Sequence, residues 1–537
     1  MSNSAIRNGL LAATALGLLS TGPVYARDGG RTTLTPYVEF DQVVFADLKD
    51  GGDVLTYSTV AAGLDGSVES RDAQAQFALR FERLISYDDQ LDDENTFSGI
   101  ARGALTSASG LRFDAGALGS RTRVDARGSA PGNLVGNPDN VTQVYSLYAG
   151  PSFTNQIGDL TVNAGYQLGY TRVEEKLVGS LPPGAPPLDL FDDSVTHSAS
   201  ASVGMQPGDL PFGWSVGVGL DREDAGQLDQ RYEARHARAD VTVPVSGDLA
   251  MVGGVGYEDV EVSERDALRD AAGVPILGGD GRLVTDKSSP RLLAYDQDGI
   301  IWDAGVLWRP SRRTSLEARV GRRYGSTTWF GNANWSPSDR TTLNLSVYDM
   351  VTGFGGLLND NLSRLGTSFT SYRNPLSGDL SGCAFGKESS LCFNDALLSA
   401  SSATFRGRGV TASLSTEVGG WNYGAAAGYS RRKYLVSALG ARSSLGGVVD
   451  ENYFAVMQMG RRLDERSSFD ASFYGNYVVP GQPGFGDVVS LGANAAYNRN
   501  IWRGLEATAA VGIDGTKQED FDSAVTASAL LGLRYSF

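Results

Sequence analysis

The chain has 537 residues, a formal net charge of −16, and only 2 His and 2 Cys. An acidic chain lacks the basic footprint that nucleic-acid binding requires, which excludes a nucleic-acid partner. Gly is abundant at 68 residues, and no apolar run reaches the roughly 18 residues that a membrane helix needs. Small residues and aromatics on a period of two are typical of a barrel wall. One face of such a wall is apolar and the other is polar, so the mean hydropathy of its strands is intermediate.

The N-terminus has the pattern of a secretory signal peptide. Arg7 precedes a mostly apolar run at 10–19, and a cleavage site with small residues follows, ending at Ala26. The apolar run is too short to cross a membrane as a helix, and a buried N-terminal helix fits the pattern less well. We therefore predict a signal peptide at 1–26 and a single barrel domain at 27–537.

Runs of alternating apolar and polar residues recur along the rest of the chain. In the run at 160–176, every second residue from Leu160 to Tyr170 is apolar, and the residues between them are polar or Gly. Side chains alternate faces along a strand, so each run predicts a strand with one apolar face. We count about 22 such strands, with a range of about 20 to 24. Strands can cross lipid only as a closed structure, which predicts an all-β, transmembrane antiparallel barrel.

The connections between the predicted strands sort by length. When the C-terminus is assigned to the periplasm and the sides alternate, the connections on the periplasmic side are short. The long connections then lie outside, at 125–140, 177–194, 264–298, 353–403 and 435–450. Short periplasmic turns and long extracellular loops are the rule for membrane barrels. The sorting predicts that both termini are periplasmic.

The tryptophans support the same arrangement. Six of the seven lie near predicted strand ends in the outward phase, whereas Trp502 falls in a predicted turn. Aromatic girdles lie at the membrane interfaces of such barrels. The predicted girdle consists of Trp214, Trp302, Trp308, Trp329, Trp335 and Trp421.

The last predicted strand, 523–537, places Leu533, Tyr535 and Phe537 on its apolar face. A terminal Phe preceded by alternating apolar residues resembles the signal by which bacterial outer-membrane barrels are recognised for insertion. The resemblance implies the outer membrane of a Gram-negative bacterium. Its implied partners are membrane lipid, lipopolysaccharide and the barrel-insertion machinery.

Charged residues of both signs occupy the alternate strand positions whose side chains are predicted to face the lumen. The lumen and constriction candidates are Arg80, Arg102, Arg112, Arg319, Arg323, Glu317, Asp303 and Arg432. A polar lumen suits a water-filled passage, and the dense basic stretch Arg319–Arg323 could favour anions. Alternatively, these charges pair across the wall and stiffen it. Acidic runs near 88–94 and 519–522 are either solvated or weak calcium ligands.

Catalysis has little support in this sequence. His236 is predicted to face inward with Asp240 as its nearest acidic partner, but a hydrolase also needs a nucleophile beside the histidine. We predict no catalytic residue, no metal ligand set and no cofactor.

The connection at 353–403 is too long to be a loop that only joins two strands. A barrel this wide cannot be filled by wall side chains, because diameter grows with strand number. TonB-dependent transporters resemble this chain in strand count but carry an N-terminal plug domain. Only about seven residues are expected between the signal peptide and the first strand, which leaves no room for such a domain.

Cys383 and Cys392 lie close together in an irregular stretch and predict a disulfide in an oxidising compartment. We expect this connection, helped by 264–298, to fold inward as a constriction.

Two N-terminal stretches, TPYVEFDQVVFADL and LTYSTVAAGLDGSVESRDAQAQFALRFER, resemble a poorly characterised family of outer-membrane β-barrel proteins. Members of that family are associated with exopolysaccharide or PEP-CTERM-type surface-polymer systems. Some relatives are labelled preprotein translocase subunit YajC, although YajC-like proteins are small and have one membrane helix. The resemblance implies an envelope role and surface-polymer export components as partners.

Three classes of function follow from the sequence. The first is a channel that passes hydrophilic solutes or exports a surface polysaccharide. The second is a surface-exposed structural or adhesive barrel with a closed lumen. The third is an outer-membrane hydrolase, for which His236 is the sole candidate base.

Overall fold

A computed structural model shows a closed antiparallel barrel with a folded segment inside its lumen. The structure describes residues 30–49, 54–87, 93–124, 141–174, 189–386, 391–393, 395–519 and 523–537. The predicted signal peptide and most of the acidic runs near 88–94 and 519–522 lie outside these ranges.

The strands match the alternating runs of the sequence closely. In chain order they are β1 (Arg31–Asp47), β2 (Val54–Glu69), β3 (Ala73–Ser86), β4 (Glu94–Thr106), β5 (Leu111–Arg123), β6 (Val141–Ile157), β7 (Leu160–Val173), β8 (Asp193–Met205), β9 (Gly213–Ala225), β10 (Gln230–Pro244), β11 (Leu249–Glu264), β12 (Leu292–Ser311), β13 (Thr314–Arg323), β14 (Ser326–Ser338), β15 (Thr341–Thr352), β16 (Thr370–Arg373), β17 (Leu380–Phe385), β18 (Leu391–Cys392), β19 (Phe405–Val418), β20 (Trp421–Tyr434), β21 (Val449–Arg462), β22 (Ser467–Val479), β23 (Val488–Trp502), β24 (Leu505–Gln518) and β25 (Ala524–Ser536).

The barrel wall contains 22 of these strands, namely all except β16, β17 and β18. Neighbours in the chain pair antiparallel, and β15 pairs directly with β19. Strand β1 pairs with β2 on one side and with β25 on the other, from Tyr37 opposite Ser536 to Asp47 opposite Thr526. This last pairing closes the barrel, so the wall has no free edge. The predicted all-β class and strand count are confirmed.

The outer surface of the barrel is apolar at mid-strand. Phe40, Val218 and Leu531 are among the large apolar side chains exposed there. A continuous exposed apolar surface on a closed barrel is the surface that lipid covers. Among the described residues, no helix is long and apolar enough to cross a membrane.

Four girdle candidates, Trp302, Trp308, Trp329 and Trp335, are exposed, whereas Trp214 and Trp421 are half-buried. Trp502 is also exposed, and its predicted place in a turn is wrong. It is the last residue of β23, because the ladder continues to a Trp502–Leu505 pair across a two-residue turn.

The connections differ at the two ends of the barrel. At the end where β1 begins and β25 ends, here called the terminal end, the turns are short, as at 158–159 and 419–420. At the opposite, distal end lie the long connections, including 265–291 and 353–404. The distal hairpin at 265–291 packs Ala267 and Leu283 on Leu228. The sorting of the described connections agrees with the sequence, whereas the predicted loop 125–140 and most of 177–194 lie outside the described residues. The periplasmic placement of the termini stays a prediction.

The connection 353–404, here called the insert, enters the lumen from the distal end. It contains helix α1 (Phe354–Arg364), the small sheet β16–β18 and a short 3₁₀ helix at Ala396–Leu398. Cys383 and Cys392 are paired residues of β17 and β18, and their predicted disulfide is present. The sequence-based description of this stretch as irregular is wrong, because strands of two to six residues are too short to show a period.

We predict that Val218→Lys lowers the unfolding free energy of the barrel in lipid bilayers by about 2–4 kcal/mol, because it places a charge in hydrocarbon. Val218 faces outward on β9, and Ser200 lies nearby on the inner face of β8. Ser200→Lys is the matched control, since the lumen accepts a charge. Urea unfolding in vesicles measures both variants, and an equal loss of stability would contradict the lipid-facing assignment of Val218.

Candidate functional site: the occluded lumen

Helix α1 is anchored at its N-terminus by a buried carboxylate from the wall. The backbone N–H groups of Gly353, Gly355 and Gly356 donate to Glu223 of β9 at 3.2, 3.1 and 3.1 Å. The first N–H groups of a helix lack intrahelical partners, and a negative charge is favoured beside them. A Cβ at Gly355 would lie 2.0 Å from the Ser194 hydroxyl, so glycine is needed for this close approach.

The rest of the helix is held by wall side chains of the neighbouring strands β4, β6 and β8. Arg102 donates to the carbonyls of Ser363 and Leu365 at 3.1 and 3.0 Å, which satisfies acceptors at the helix C-terminus. In the middle of the helix, Asn359 accepts from Ser146 at 2.9 Å and donates to Thr196 at 3.1 Å. Polar groups buried away from water stay stable only when they are paired in this way.

The central part of the insert is bound to β3, β4 and β5. Arg121 donates to both carboxylate oxygens of Asp379 at 2.6 Å, a geometry that gives a strong and directional pair. Arg373 reaches the other way, from the insert to the Ser98 hydroxyl at 2.5 Å. Phe369 exchanges hydrogen bonds with the amide of Gln76. The insert therefore reaches the half of β3 that lies nearest the terminal end.

The returning part of the insert is held by Asp395. Ser430 and Tyr348 donate to this carboxylate at 2.5 and 2.9 Å, and Arg432 donates to its backbone carbonyl. Arg432 is fully buried and lies 4.7 Å above the ring of Phe405. One of the predicted lumen candidates is thus an anchor of the insert and does not face open water.

Residues at the end of the insert are tied to the distal loops through Asp189. This carboxylate accepts from Ser401, Ser402 and Arg442, and Arg442 also pairs with Glu264. Burial by itself raises the pKa of Asp189, but the Arg442 guanidinium and the two hydroxyl donors outweigh it and hold the pKa below its usual value. The carboxylate is therefore ionised at neutral pH.

Most sequence-predicted lumen residues, including the helix anchor Arg102, form ion pairs along the wall. Arg80 contacts Glu39 at 2.8 Å and Glu82 at 2.6 Å. Arg102 and Arg112 share Asp114, at 3.0 and 2.9 Å. These pairs leave little net charge at their positions in the lumen.

A second group of predicted residues meets on β12 and β13. Arg319 contacts Asp303 at 3.2 Å and Glu317 at 2.7 Å, and it also contacts Asp240 at 2.9 Å. Arg323 pairs with Glu258. The stretch Arg319–Arg323 is therefore balanced by carboxylates at these positions, as the alternative of wall-stiffening pairs expects.

Catalytic and metal chemistry receive no positive support from the geometry. Asp240 is engaged by Arg238 at 2.7 Å and by Arg319, so it does not orient His236. Within the part of the chain that the structure describes, no group of three or more His, Cys, Asp or Glu is placed to hold a metal ion.

Several of these anchors could not be identified from the sequence. Arg121 lies in a run of five consecutive buried residues, Leu118–Thr122, where the alternation breaks down. Glu223 follows the strand period, but its role depends on a helix that begins 130 residues later. The pairing of Arg121 with Asp379 likewise joins residues far apart in the chain, so no local spacing could reveal it.

Two cavities lie between the insert and the described part of the wall. The first cavity, about 460 Å³, lies between the insert and strands β1, β3, β5 and β21–β25. The second cavity, about 360 Å³, lies between α1 and strands β10 and β12–β15. The first cavity extends from Glu506 and Arg534 near the terminal end to Arg123 near the distal end.

The 3₁₀ helix of the insert lies at the distal end of the first cavity, which Leu397 and Leu398 line. Leu398 packs in a buried cluster with Val478 and Val488 at the distal ends of β22 and β23. Thr122 of β5 donates to the carbonyl of Leu397 at 2.8 Å and holds the other side of the turn. The turn therefore links β5 to β22 and β23 across the distal part of the cavity.

The closed barrel, its apolar outer belt and its polar lumen define a membrane-spanning β-barrel of the outer-membrane class. No protein-family model and no curated protein matches this chain.

Similar solved structures include the ferric-catecholate import receptor Fiu from E. coli K12, at 11% identity and a TM-score of 0.43, covering 95% of this chain and 82% of that chain. The siderophore receptor PiuA from Acinetobacter baumannii has 8% identity, a TM-score of 0.44, and coverage of 95% and 82%. The copper transporter OprC has 12% identity, a TM-score of 0.39, and coverage of 94% and 80%. Because every TM-score is this low, no functional assignment rests on these likenesses.

We predict that Glu223→Gln speeds amide hydrogen exchange in α1 by about 10- to 100-fold, because hydrogen bonds to a charged acceptor contribute about 1.5–3 kcal/mol. Hydrogen-exchange mass spectrometry of residues 354–364 measures the change. Glu233→Gln on β10, whose partner is the exposed Arg235, is the matched control. Unchanged exchange in Glu223→Gln would show that the carboxylate does not anchor the helix.

Proposed function

We propose that this protein is a gated outer-membrane channel for small hydrophilic solutes, with its termini in the periplasm and its distal end facing outward. The observation that carries the proposal is the first cavity, whose lining extends from near the terminal end to a turn of the insert near the distal end. A polar route closed at one place is the arrangement that a gate requires.

The size of the cavity favours a small solute over a polymer. A space of about 460 Å³ is in the range of ordinary small-molecule sites and accommodates a solute of a few rings. Export of a surface polysaccharide, which the family resemblance implies, would require the whole insert to leave the lumen. The insert is held by several buried charged pairs, among them Arg121–Asp379 and Arg432–Asp395, and each makes such a displacement costly.

The same anchors favour a second candidate, a structural barrel whose lumen stays permanently closed. A channel conducts ions at least transiently, whereas a permanently closed barrel does not conduct until its insert is removed. Conductance of the unaltered protein in planar bilayers therefore separates the two candidates.

We predict that deletion of residues 356–400, bridged by a Gly/Ser linker of about ten residues, raises single-channel conductance several-fold, because a wide barrel without its insert is an open pore. Deletion of 270–281, the tip of the distal hairpin, is the control and leaves conductance unchanged. Low conductance after deletion of the insert would mean that something else fills the lumen.

We predict that Leu398→Ser raises the time-averaged ion current at least about tenfold, because the loss of roughly 2–3 kcal/mol of apolar burial loosens the closing turn. The control is Leu439→Ser, since Leu439 is 79% exposed in a distal loop. Current recordings at equal protein density measure the effect. An increase on deletion of the insert without an increase in Leu398→Ser would place the gate elsewhere in the insert.

A further inference from the structure

The first cavity is lined by amide and hydroxyl groups on the wall arc β21–β24. Gln458, Asn476, Asn494 and Asn498 lie along this arc, and Thr508 donates to Asn498 at 2.9 Å. An amide presents both a donor and an acceptor, as a hydroxyl does. This surface is therefore suited to a ligand that also carries both.

Two of these amides have unused acceptors. Gln458 is 2% exposed, and within the described ranges neither its Oε1 nor the Oδ1 of Asn476 has a hydrogen-bond partner. A buried polar atom without a partner is costly, and in a native structure it points to a missing ligand or water. Both side chains line the same cavity, so a molecule bound there lies beside both amides.

The charges around the cavity nearly cancel. Its lining includes five arginines and four carboxylates, and the main pairs are internal to the protein. Arg80 is paired with Glu39, Arg121 with Asp379, and Arg534 with Asp65. Three of the five arginines are thus held by carboxylates, and the lining contains only one more arginine than carboxylates, which is little excess positive charge for an anionic ligand.

Aromatic rings provide an apolar contact at the same place. Tyr372 of the insert and Tyr474 of the wall both line the cavity and pack in one cluster with Phe385. Tyr474 is fixed by its donation to Asp514 at 2.6 Å. A rigid ring beside amides matches a molecule with C–H faces and hydroxyl edges.

From this combination we infer that the first cavity is a binding site for a neutral polyhydroxylated solute, namely a short oligosaccharide of roughly two or three rings. The inference rests on the proposed channel, because it names the class of solute that occupies the route. The amides select hydroxyl groups, and the balanced charges select against ionic ligands.

Calorimetric titration of the full-length protein in detergent micelles tests the site. The probes are maltotriose, cellotriose, trigalacturonate and the glucosamine trimer. We expect at least one neutral trimer to bind, with both charged trimers at least tenfold weaker. Absence of binding by both neutral trimers, or tightest binding by a charged trimer, overturns the inference.

Variants locate the site within the lumen. Gln458→Leu and Asn476→Leu are each expected to weaken binding of the neutral trimer about five- to tenfold, because each removes a hydrogen bond to the ligand. Asn332→Leu is the matched control, since Asn332 lines the second cavity. Equal weakening by all three variants would overturn the assignment to the first cavity.

The titration and the bilayer recordings can fail separately. Binding of a neutral trimer without any conductance would leave the site in place and refute the channel. Conductance without binding would support the channel and refute the saccharide site.

Discussion

A closed wall of 22 strands encloses more space than its own side chains can fill, and the interior of this protein depends on that constraint. Closure is imposed by the membrane, because an open sheet edge cannot exist in lipid. The lumen must therefore be filled by something other than the wall. Here the filling is the insert at 353–404, which comes from a single connection between β15 and β19.

In this membrane barrel, the side chains that face the filled lumen are largely polar. The wall meets the insert with charged and amide groups, and each must be paired when water is displaced. Glu223 and Arg102 satisfy the two ends of α1, and Arg121 and Arg432 hold the central and returning parts. The inward arginines thus work mainly as structural anchors. The space that remains includes two cavities, which lie against different arcs of the wall.

In the proposed channel, the gate is the turn that lies between the anchors at Asp395 and Ser401. The side chain of Leu398 is held there by apolar contacts with Val478 and Val488, whereas the residues on both sides of the turn are held by charged groups. Apolar contacts of one side chain are weaker than a bidentate buried ion pair, so the proposal assigns the movement to this side chain. The route beneath it is lined by amides, which suits a neutral solute better than an ion.

The sequence by itself determined the wall: its strand count, its apolar outer face, the sorting of its connections and the Cys383–Cys392 disulfide. These features depend on local period and spacing, which a single chain displays directly. Even there, Trp502 was misplaced, because a ladder can continue beyond the last clear alternation. The tertiary structure alone decided the site. Glu223 meets α1, Arg121 meets Asp379, and Gln458 faces a cavity, because closing the barrel brings together residues that are more than a hundred positions apart or on different arcs of the wall.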